Sequence, residues 1–282
     1  MQMKIRFKHD DPKLNLETEV KYKINKFPAG EVGFVWEGTS PYVSNFGVEI
    51  YIDVNLYTAD DYMILCGVLS EIKLDSLFYK KEYGSNLITL KELNIGYLGY
   101  ARQDKFVTVI NEESDNFHEI PMVDVALDMI MTQVKLSETK VTILDPHSTI
   151  RKDGIKIVQP SILFPDVEPI FPDEGAYARY ARYQSSMYGS KPALFAMKRR
   201  GDKGNIISYE LNESMVKFDP NKDYVVVDDI CDGGATFLFL AKLLTEKGHK
   251  GKLYLQVTHG LFTKGKEELL KYYDDIKCIT EM

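Results

Sequence analysis

Two adjacent carboxylates close an apolar, β-branched run, Val225-Val226-Val227-Asp228-Asp229. Asp232-Gly233-Gly234-Ala235-Thr236 follows closely, then a helical pattern over residues 235–248. A parallel strand that ends on acids delivers them to the crevice where α/β sheets take their ligands. Backbone N–H groups of the glycine turn and of the helix behind it make a cradle for an anion, above all a phosphate. Carboxylates beside such a cradle repel a bare phosphate but accept hydrogen bonds from sugar hydroxyls. The pattern therefore fits a ribose phosphate. Asp228 and Asp229 would take the hydroxyls, while Asp232, Gly233, Gly234, Ala235 and Thr236 surround the phosphoryl group.

A second cluster is basic. Lys198, Arg199 and Arg200 follow an apolar strand-like run over residues 192–197, and a polar stretch over 201–204 reads as a mobile loop. Cations on a closing loop can meet the charge that spreads over phosphate oxygens during transfer. Arg102 and Gln103 follow Gly99-Tyr100 at another strand-like end. A guanidinium there can pair two phosphate oxygens, and an amide can read a purine edge. His147, after Asp145-Pro146, is open between a structural imidazole and a ligand. His259 in Thr258-His259-Gly260 is read as shaping a turn.

Alternating elements must position these residues. Strands are expected at 48–56, 88–97, 141–144, 192–197, 224–227 and 253–257. Helices are expected at 62–72, 123–134, 176–187, 237–244 and 267–273. Strand–helix alternation predicts parallel α/β sheets. A soft division near 135–141 gives two units, 1–138 and 139–282. The chain has 282 residues and a formal charge of −7, which argues against a nucleic-acid partner. No apolar run is long enough for a bilayer. Lys4, Arg6, Lys8 and Asp10 interrupt any N-terminal signal. Cys66, Cys231 and Cys278 lack metal or disulfide spacing, which fits a reducing cytoplasm.

The motifs also stand in a familiar order. Phe27-Pro28-Ala29-Gly30-Glu31, Gly99-Tyr100-Ala101-Arg102-Gln103-Asp104 and Asp145-Pro146-His147 come first. Phe171-Pro172-Asp173-Glu174-Gly175 with Arg179, Lys198-Arg199-Arg200, the Asp228–Thr236 loop and Thr258-His259-Gly260-Leu261-Phe262 follow. This series resembles the ribose-phosphate pyrophosphokinase family, which has the type I phosphoribosyltransferase fold. The resemblance implies an α/β protein of two phosphoribosyltransferase-like domains, their parallel sheets flanked by helices, with the nucleotide on the N-terminal one. It implies Mg²⁺-dependent transfer of pyrophosphate from ATP to the anomeric hydroxyl of ribose 5-phosphate, releasing AMP. By resemblance Lys198 and Arg200 are catalytic, and His147 binds the magnesium of Mg-ATP with Asp173 contributing from the acceptor side. Arg102, Gln103, Glu31 and an adenine-stacking Phe27 supplied by a neighbouring subunit would hold ATP, in a homo-oligomer of at least two copies.

Departures from the family pattern matter too. Gly233 stands where the family has Thr, Ala29 where it has Asp, and Ala176 where it has a second Gly. The chain also ends soon after its last motif, which puts hexameric assembly and regulation by phosphate or ADP in question. Gly233 lacks a hydroxyl and is expected to widen the 5-position, which raises ADP-ribose, for NAD rebuilding, as an alternative acceptor. A phosphoribosyltransferase and an inactive regulatory paralogue are further readings. The first has no use for an ATP segment at 99–104. The second is opposed by retention of Lys198, Arg200, His147, Asp228 and Asp229.

Overall fold

The computed structural model describes residues 1–9, 17–28, 31–37, 47–84, 87–102, 108–110, 116–118, 121–134, 138–150, 152–187, 192–200 and 206–282. It divides into two compact units, Met1–Val158 and Gln159–Met282.

The first unit runs β1 (Gln2–His9), β2 (Glu17–Glu19), β3 (Tyr22–Lys26), β4 (Val32–Trp36), β5 (Val48–Leu56), α1 (Ala59–Tyr83), β6 (Ile88–Leu98), β7 (Thr108–Ile110), β8 (Asn116–His118), α2 (Met122–Met131), β9 (Lys140–Leu144) and β10 (Ile155–Val158). Its main sheet has the order β10-β9-β6-β5-β1-β2. Strands β10, β9, β6 and β5 are mutually parallel. β1 pairs antiparallel with β5 and with β2, so the sheet is mixed rather than purely parallel. The division falls after Val158, twenty residues beyond the boundary read from the sequence, because β9 and β10 pair into the first sheet.

Local physics explains the central β5–α1–β6 crossover. Every second residue of β5 is buried, from Val48 through Ile50, Ile52 and Val54 to Leu56. That is the period-2 pattern of a strand packed on one face. Asp61 starts α1 by accepting the Tyr57 and Thr58 N–H groups at 2.8 and 2.9 Å, the reciprocal half of a capping box. Tyr62, Leu65, Val68, Leu69 and Ile72 then repeat at three- and four-residue spacing and are buried against the sheet. Of the apolar positions read from the sequence, Met63, Leu65, Val68 and Leu69, the last three belong to this stripe, while Met63 is 57% exposed. The helix runs on to Tyr83, with Leu74, Leu77 and Phe78 exposed.

The second unit runs β11 (Glu168–Phe171), α3 (Glu174–Met187), β12 (Leu194–Arg200), β13 (Ile206–Asn212), β14 (Tyr224–Cys231), α4 (Ala235–Glu246), β15 (Leu253–Gly260) and β16 (Asp275–Glu281). The sheet order is β13-β12-β11-β14-β15-β16. All neighbours are parallel except the β12–β13 hairpin. From β11 the chain crosses through α3 to β12 on one side. β14 lies on the other side of β11, and α4 carries the chain further outward to β15. The strand order therefore reverses between β11 and β14, and ligands of open α/β sheets bind at such a point, beyond the strands' carboxyl ends. The helix expected at 267–273 is a single 3-10 turn, Leu269–Lys271. Only Leu269 and Tyr273 of that stretch are buried, too few apolar positions to hold a longer helix against the sheet.

Gly99 shows how tightly one of these strand ends is built. Its N–H donates to the Leu56 carbonyl at 2.8 Å, and a Cβ there would lie 2.7 Å from that same oxygen. The clash is with backbone at the end of a paired strand, which cannot move cheaply. We expect Gly99→Ala to destabilise the first unit by about 1–3 kcal/mol. Denaturant unfolding followed by circular dichroism measures this. A change below roughly 0.5 kcal/mol, the range of a neutral surface substitution, would show that the strand end has slack.

Candidate active site

The switch point of the second sheet carries the densest chemistry. Asp173, just past β11, caps α3. Its Oδ1 accepts the Ala176 N–H at 2.8 Å and its carbonyl the Tyr177 N–H at 3.1 Å. Ala176 itself is buried and its methyl is accommodated, so the loss of a glycine there costs the fold nothing visible. The helix projects Arg179 onto the end of β14, where its Nη2 donates to Asp228 Oδ1 and to Asp229 Oδ1, each at 2.6 Å. Successive strand side chains ordinarily point to opposite faces. Here the Asp228 carboxylate turns along the strand to accept the Asp229 N–H at 2.9 Å, which brings it beside its neighbour. Asp229 is 2% exposed and Asp228 11%. Burial first, then the charge of Asp229, push the Asp228 carboxyl well above its usual range, against the pull of Arg179. Both aspartates read as the end of a strand lie inside β14, which extends to Cys231.

The turn that follows is shaped for an anion. Gly234 adopts φ +76° as it opens α4, a conformation that favours glycine. No side chain caps α4, and Leu238 N–H bonds back to the Gly234 carbonyl at 3.0 Å. The amides of the first turn therefore face outward for a ligand. A loop from the end of β15 is pinned against this turn. Leu261 and Phe262 N–H groups bond to the Cys231 carbonyl at 2.8 and 3.1 Å. Thr263 Oγ1 donates to Asp232 Oδ1 at 2.7 Å. Phe262 holds φ +44°, and Lys264 follows. A Cβ on Gly233 would meet the Lys264 methylenes at 3.5 Å, ordinary contact. The space expected beside Gly233 is thus bordered by a lysine stem. His259, read as shaping a turn, lies buried inside β15 opposite Thr280 of β16, its Nδ1 2.8 Å from Thr280 Oγ1. Burial raises the Cys231 thiol to about 12, reinforced by Asp228 and Asp232.

The basic triplet closes β12 rather than following it, and pairs with β13 through Lys198↔Tyr209 and Arg199↔Ser208, with a register shift before Arg200. The side chains of Lys198 and Arg200, like residues 201–205, lie outside the described residues. Opposite Lys198, the Tyr209 hydroxyl donates to the Pro172 carbonyl. Burial raises the Tyr209 pKa, helped by Asp173 and Asp228, so its proton stays on.

In the first unit the remaining candidates gather at strand ends. Tyr62 Oη donates to the Gly99 carbonyl at 2.6 Å, Tyr100 takes φ +61°, and the buried Ala101 leads to an exposed Arg102. Gln103 lies outside the described residues. Beyond β9, Asp145 is buried with φ +38°, its N–H bonded to the Val158 carbonyl at 2.8 Å. His147 follows half-buried, and next to it Ser148 buries an Oγ with no hydrogen-bond partner among the described residues. Phe27 and Glu31 flank the β3–β4 turn, Phe27 N–H bonding to the Glu31 carbonyl at 2.8 Å. Phe27 is 50% exposed. His147 thus belongs to the first unit and Asp173 to the second. Among the described residues no group of three His, Cys, Asp or Glu could hold a metal.

Arg179, Tyr209 and Lys264 were not assigned roles from the sequence. Arg179 carried a signal, the lone early cation of a helix following Asp173. The other two join the site only through pairing and loop docking.

The chain has the fold of a known class. It resembles the crystal structure of phosphoribosylpyrophosphate synthetase from Mycobacterium smegmatis with a TM-score of 0.61 over 91% of this chain and 78% of that one, at 18% identity. No family model matches the sequence. It is 31% identical over 201 residues to the ribose-phosphate pyrophosphokinase of Thermoplasma volcanium, covering 66% of this chain and 63% of the relative. It is 29% identical over 198 residues to a putative ribose-phosphate pyrophosphokinase 2 of Lactococcus lactis, covering 64% and 55%. These likenesses make the chain similar to, and divergent from, the ribose-phosphate pyrophosphokinases. It spans 63% and 55% of the lengths of these two relatives. No helix among the described residues is long and apolar enough to cross a membrane.

The buried acid pair yields a test. A carboxyl whose pKa is raised on folding favours the fold most below its unfolded pKa of about 3.9, and that support is lost as pH rises through the folded value. Asp228→Asn should therefore raise the thermal midpoint at pH 8, with the gain vanishing towards pH 4. Arg179→Met should lose about 3–5 kcal/mol at pH 8 by leaving two buried acids uncompensated, and recover part of it on acidification. Thermal melts from pH 4 to 8 decide. An Arg179→Met protein as stable as wild type at pH 8 would remove the bridge from the account.

Proposed function

We propose that the protein transfers pyrophosphate from Mg-ATP to the anomeric hydroxyl of ribose 5-phosphate. The O1–Pβ bond forms, the bridge between the α- and β-phosphorus breaks, and AMP leaves with the bridging oxygen. The observation that carries this reading is the Arg179-bridged Asp228–Asp229 pair beside the uncapped N-terminus of α4 at the switch point of the sheet. Each carboxylate has about four lone-pair sites, and Arg179 and the Asp229 N–H use only some of them. The remainder can accept ribose hydroxyls, while residues 232–236 and α4 hold the 5-phosphate.

Catalysis of this kind is mostly positioning and charge stabilisation. Lys198 and Arg200 are proposed to supply cations to the transferring group from the β12–β13 hairpin. Arg102 and Gln103 would take the nucleotide phosphates and base, with Phe27 and Glu31 offered by a second copy in a homo-oligomer. An exposed aromatic at a hairpin turn is well suited to stack on a base outside its own unit. Magnesium keeps several waters and needs few protein ligands beside phosphate oxygens. A half-buried His147 next to the orphaned Ser148 hydroxyl fits such a sparse site. His147 would hold the Mg²⁺ of Mg-ATP and Asp173 would contribute from the acceptor side. When bound, the ion would neutralise charge on the phosphates. This assignment carries the two-domain division of labour with it, nucleotide first and acceptor second, in a cytoplasmic setting.

ADP-ribose is the second acceptor to compare, because Gly233 lacks the side chain that would crowd a substituted 5-phosphate. The lysine stem bordering Gly233 weighs for ribose 5-phosphate, and so do the names of the relatives. Incubation with Mg-ATP and each sugar, with products identified by mass, decides between them.

Two variants locate the chemistry. Lys198→Ala is expected to lower kcat by ~10²–10³-fold with little change in substrate binding, the loss typical of a transition-state cation. Asp228→Asn is expected to weaken the ribose acceptor by roughly tenfold or more and leave ATP untouched. Steady-state AMP release measured against each substrate checks both. Unchanged turnover in the first variant, or a selective loss of ATP binding in the second, would reassign these residues.

A further inference from the structure

We infer that Lys264 is the side-chain cation for the acceptor's 5-phosphoryl group, and that it and Gly233 form one subsite. The inference rests on the functional reading above and names a specificity residue within it. Three independent features carry it.

First, the loop bearing Lys264 is fastened to the anion turn itself. Leu261 and Phe262 N–H groups bond to the Cys231 carbonyl, and Thr263 bonds to Asp232 through both its N–H, at 3.2 Å, and its Oγ1, at 2.7 Å. Gly265 N–H closes the turn on the Phe262 carbonyl at 2.7 Å. The lysine is therefore carried by the same hydrogen-bonded unit as Asp232 and Gly233. Second, its stem lies where a side chain at 233 would go. A Cβ on Gly233 would touch Lys264 Cδ and Cε at 3.5 Å, so a threonine there would compete with the stem for space. Third, Lys264 makes no ion pair or hydrogen bond among the described residues, unlike its neighbour. Lys266 is bound to Glu281 at 2.5 Å, and Lys264 is exposed.

An exposed cation at the edge of a helix N-terminus, with no ion pair among the described residues, suits a phosphate dianion. It would replace by charge what Gly233 lacks in hydroxyl. The amides of the turn then supply direction, and the ammonium supplies attraction.

The test measures sugar binding by calorimetry separately from turnover. Lys264→Ala should weaken ribose 5-phosphate by about tenfold, the lower end for a bond to a charged group on an exposed side chain. Binding of unphosphorylated ribose and the KM for ATP should not change. Lys264→Arg should stay within about threefold of wild type, since it keeps the charge. The Gly233→Thr, Lys264→Ala double variant should regain part of the lost affinity through the restored hydroxyl. Equal weakening of ribose and ribose 5-phosphate, or no weakening at all, would overturn the inference. A wild-type protein that binds ribose 5-phosphate but releases no AMP would overturn the functional reading and leave the Lys264 comparison decisive. A wild type that binds no ribose 5-phosphate overturns both.

Discussion

Placing two carboxylates next to each other at the buried end of a parallel strand is the constraint around which the second unit is organised. Unpaired, they would repel and be desolvated together, and the Asp228 carboxyl records that pressure in its raised pKa. Arg179 makes the arrangement tolerable by binding both at 2.6 Å. That requires α3 to begin where it does, which Asp173 secures as the cap. It also requires β14 to lie next to β11, because β11 delivers Asp173 and α3 to that edge. Buried ion groups are weak sources of stability, so a triad of this kind is better explained by what it can bind. Replacing it with apolar residues would make a firmer core and an empty crevice.

Positive φ angles mark strand ends in both units. The non-glycine residues with positive φ among those described are Tyr100, Asp145 and Phe262. Each follows the carboxyl end of a strand, β6, β9 and β15 respectively. Such conformations cost of order 1–3 kcal/mol apiece and persist where the surroundings over-determine them. Here the surroundings are identifiable. Tyr62 bonds the carbonyl before Tyr100, Val158 receives the Asp145 N–H, and Cys231 receives the Phe262 N–H. In both units the chain bends sharply where it leaves the sheet. Arg102, His147 and Lys264 each follow one of these bends by two residues.

How much of this could be read from residues alone follows from the range of the interactions. The strand, turn and helix around Asp228 were legible because a β-branched run, two glycines and an apolar repeat are local signals. The ends were less so: β14 runs through both aspartates and β12 through the basic triplet, since strand pairing with β15 and β13 extends them past the apolar stretch. Strand β1 carried a clear alternation, Met3, Ile5 and Phe7 buried between Lys4, Arg6 and Lys8. Its charged residues also break any leader pattern, and the antiparallel pairing of β1 with β5 and β2 depends on partners distant in sequence. Arg179 meets partners 49 and 50 residues away. No periodicity announces a contact of that kind, and only the fold supplies it.

Charge arrangement is the last constraint. The chain carries a formal charge of −7, yet the proposed substrates are both anionic. Long-range steering is therefore unfavourable, and attraction must come from groups within roughly a Debye length of the site, about 8 Å at physiological salt. The second unit meets that need in two ways that differ in cost. Outward-facing amides of α4 offer partial positive charge that is fixed in place and needs no counter-ion. The proposed lysine and arginine cations would add full charges to that partial one. Arg179 belongs to neither set, since its charge is consumed by Asp228 and Asp229. On the proposed reading the site would keep its internal neutralisation separate from the cations offered to the substrate, so binding an anion would not require breaking the bridge that holds the acids in place.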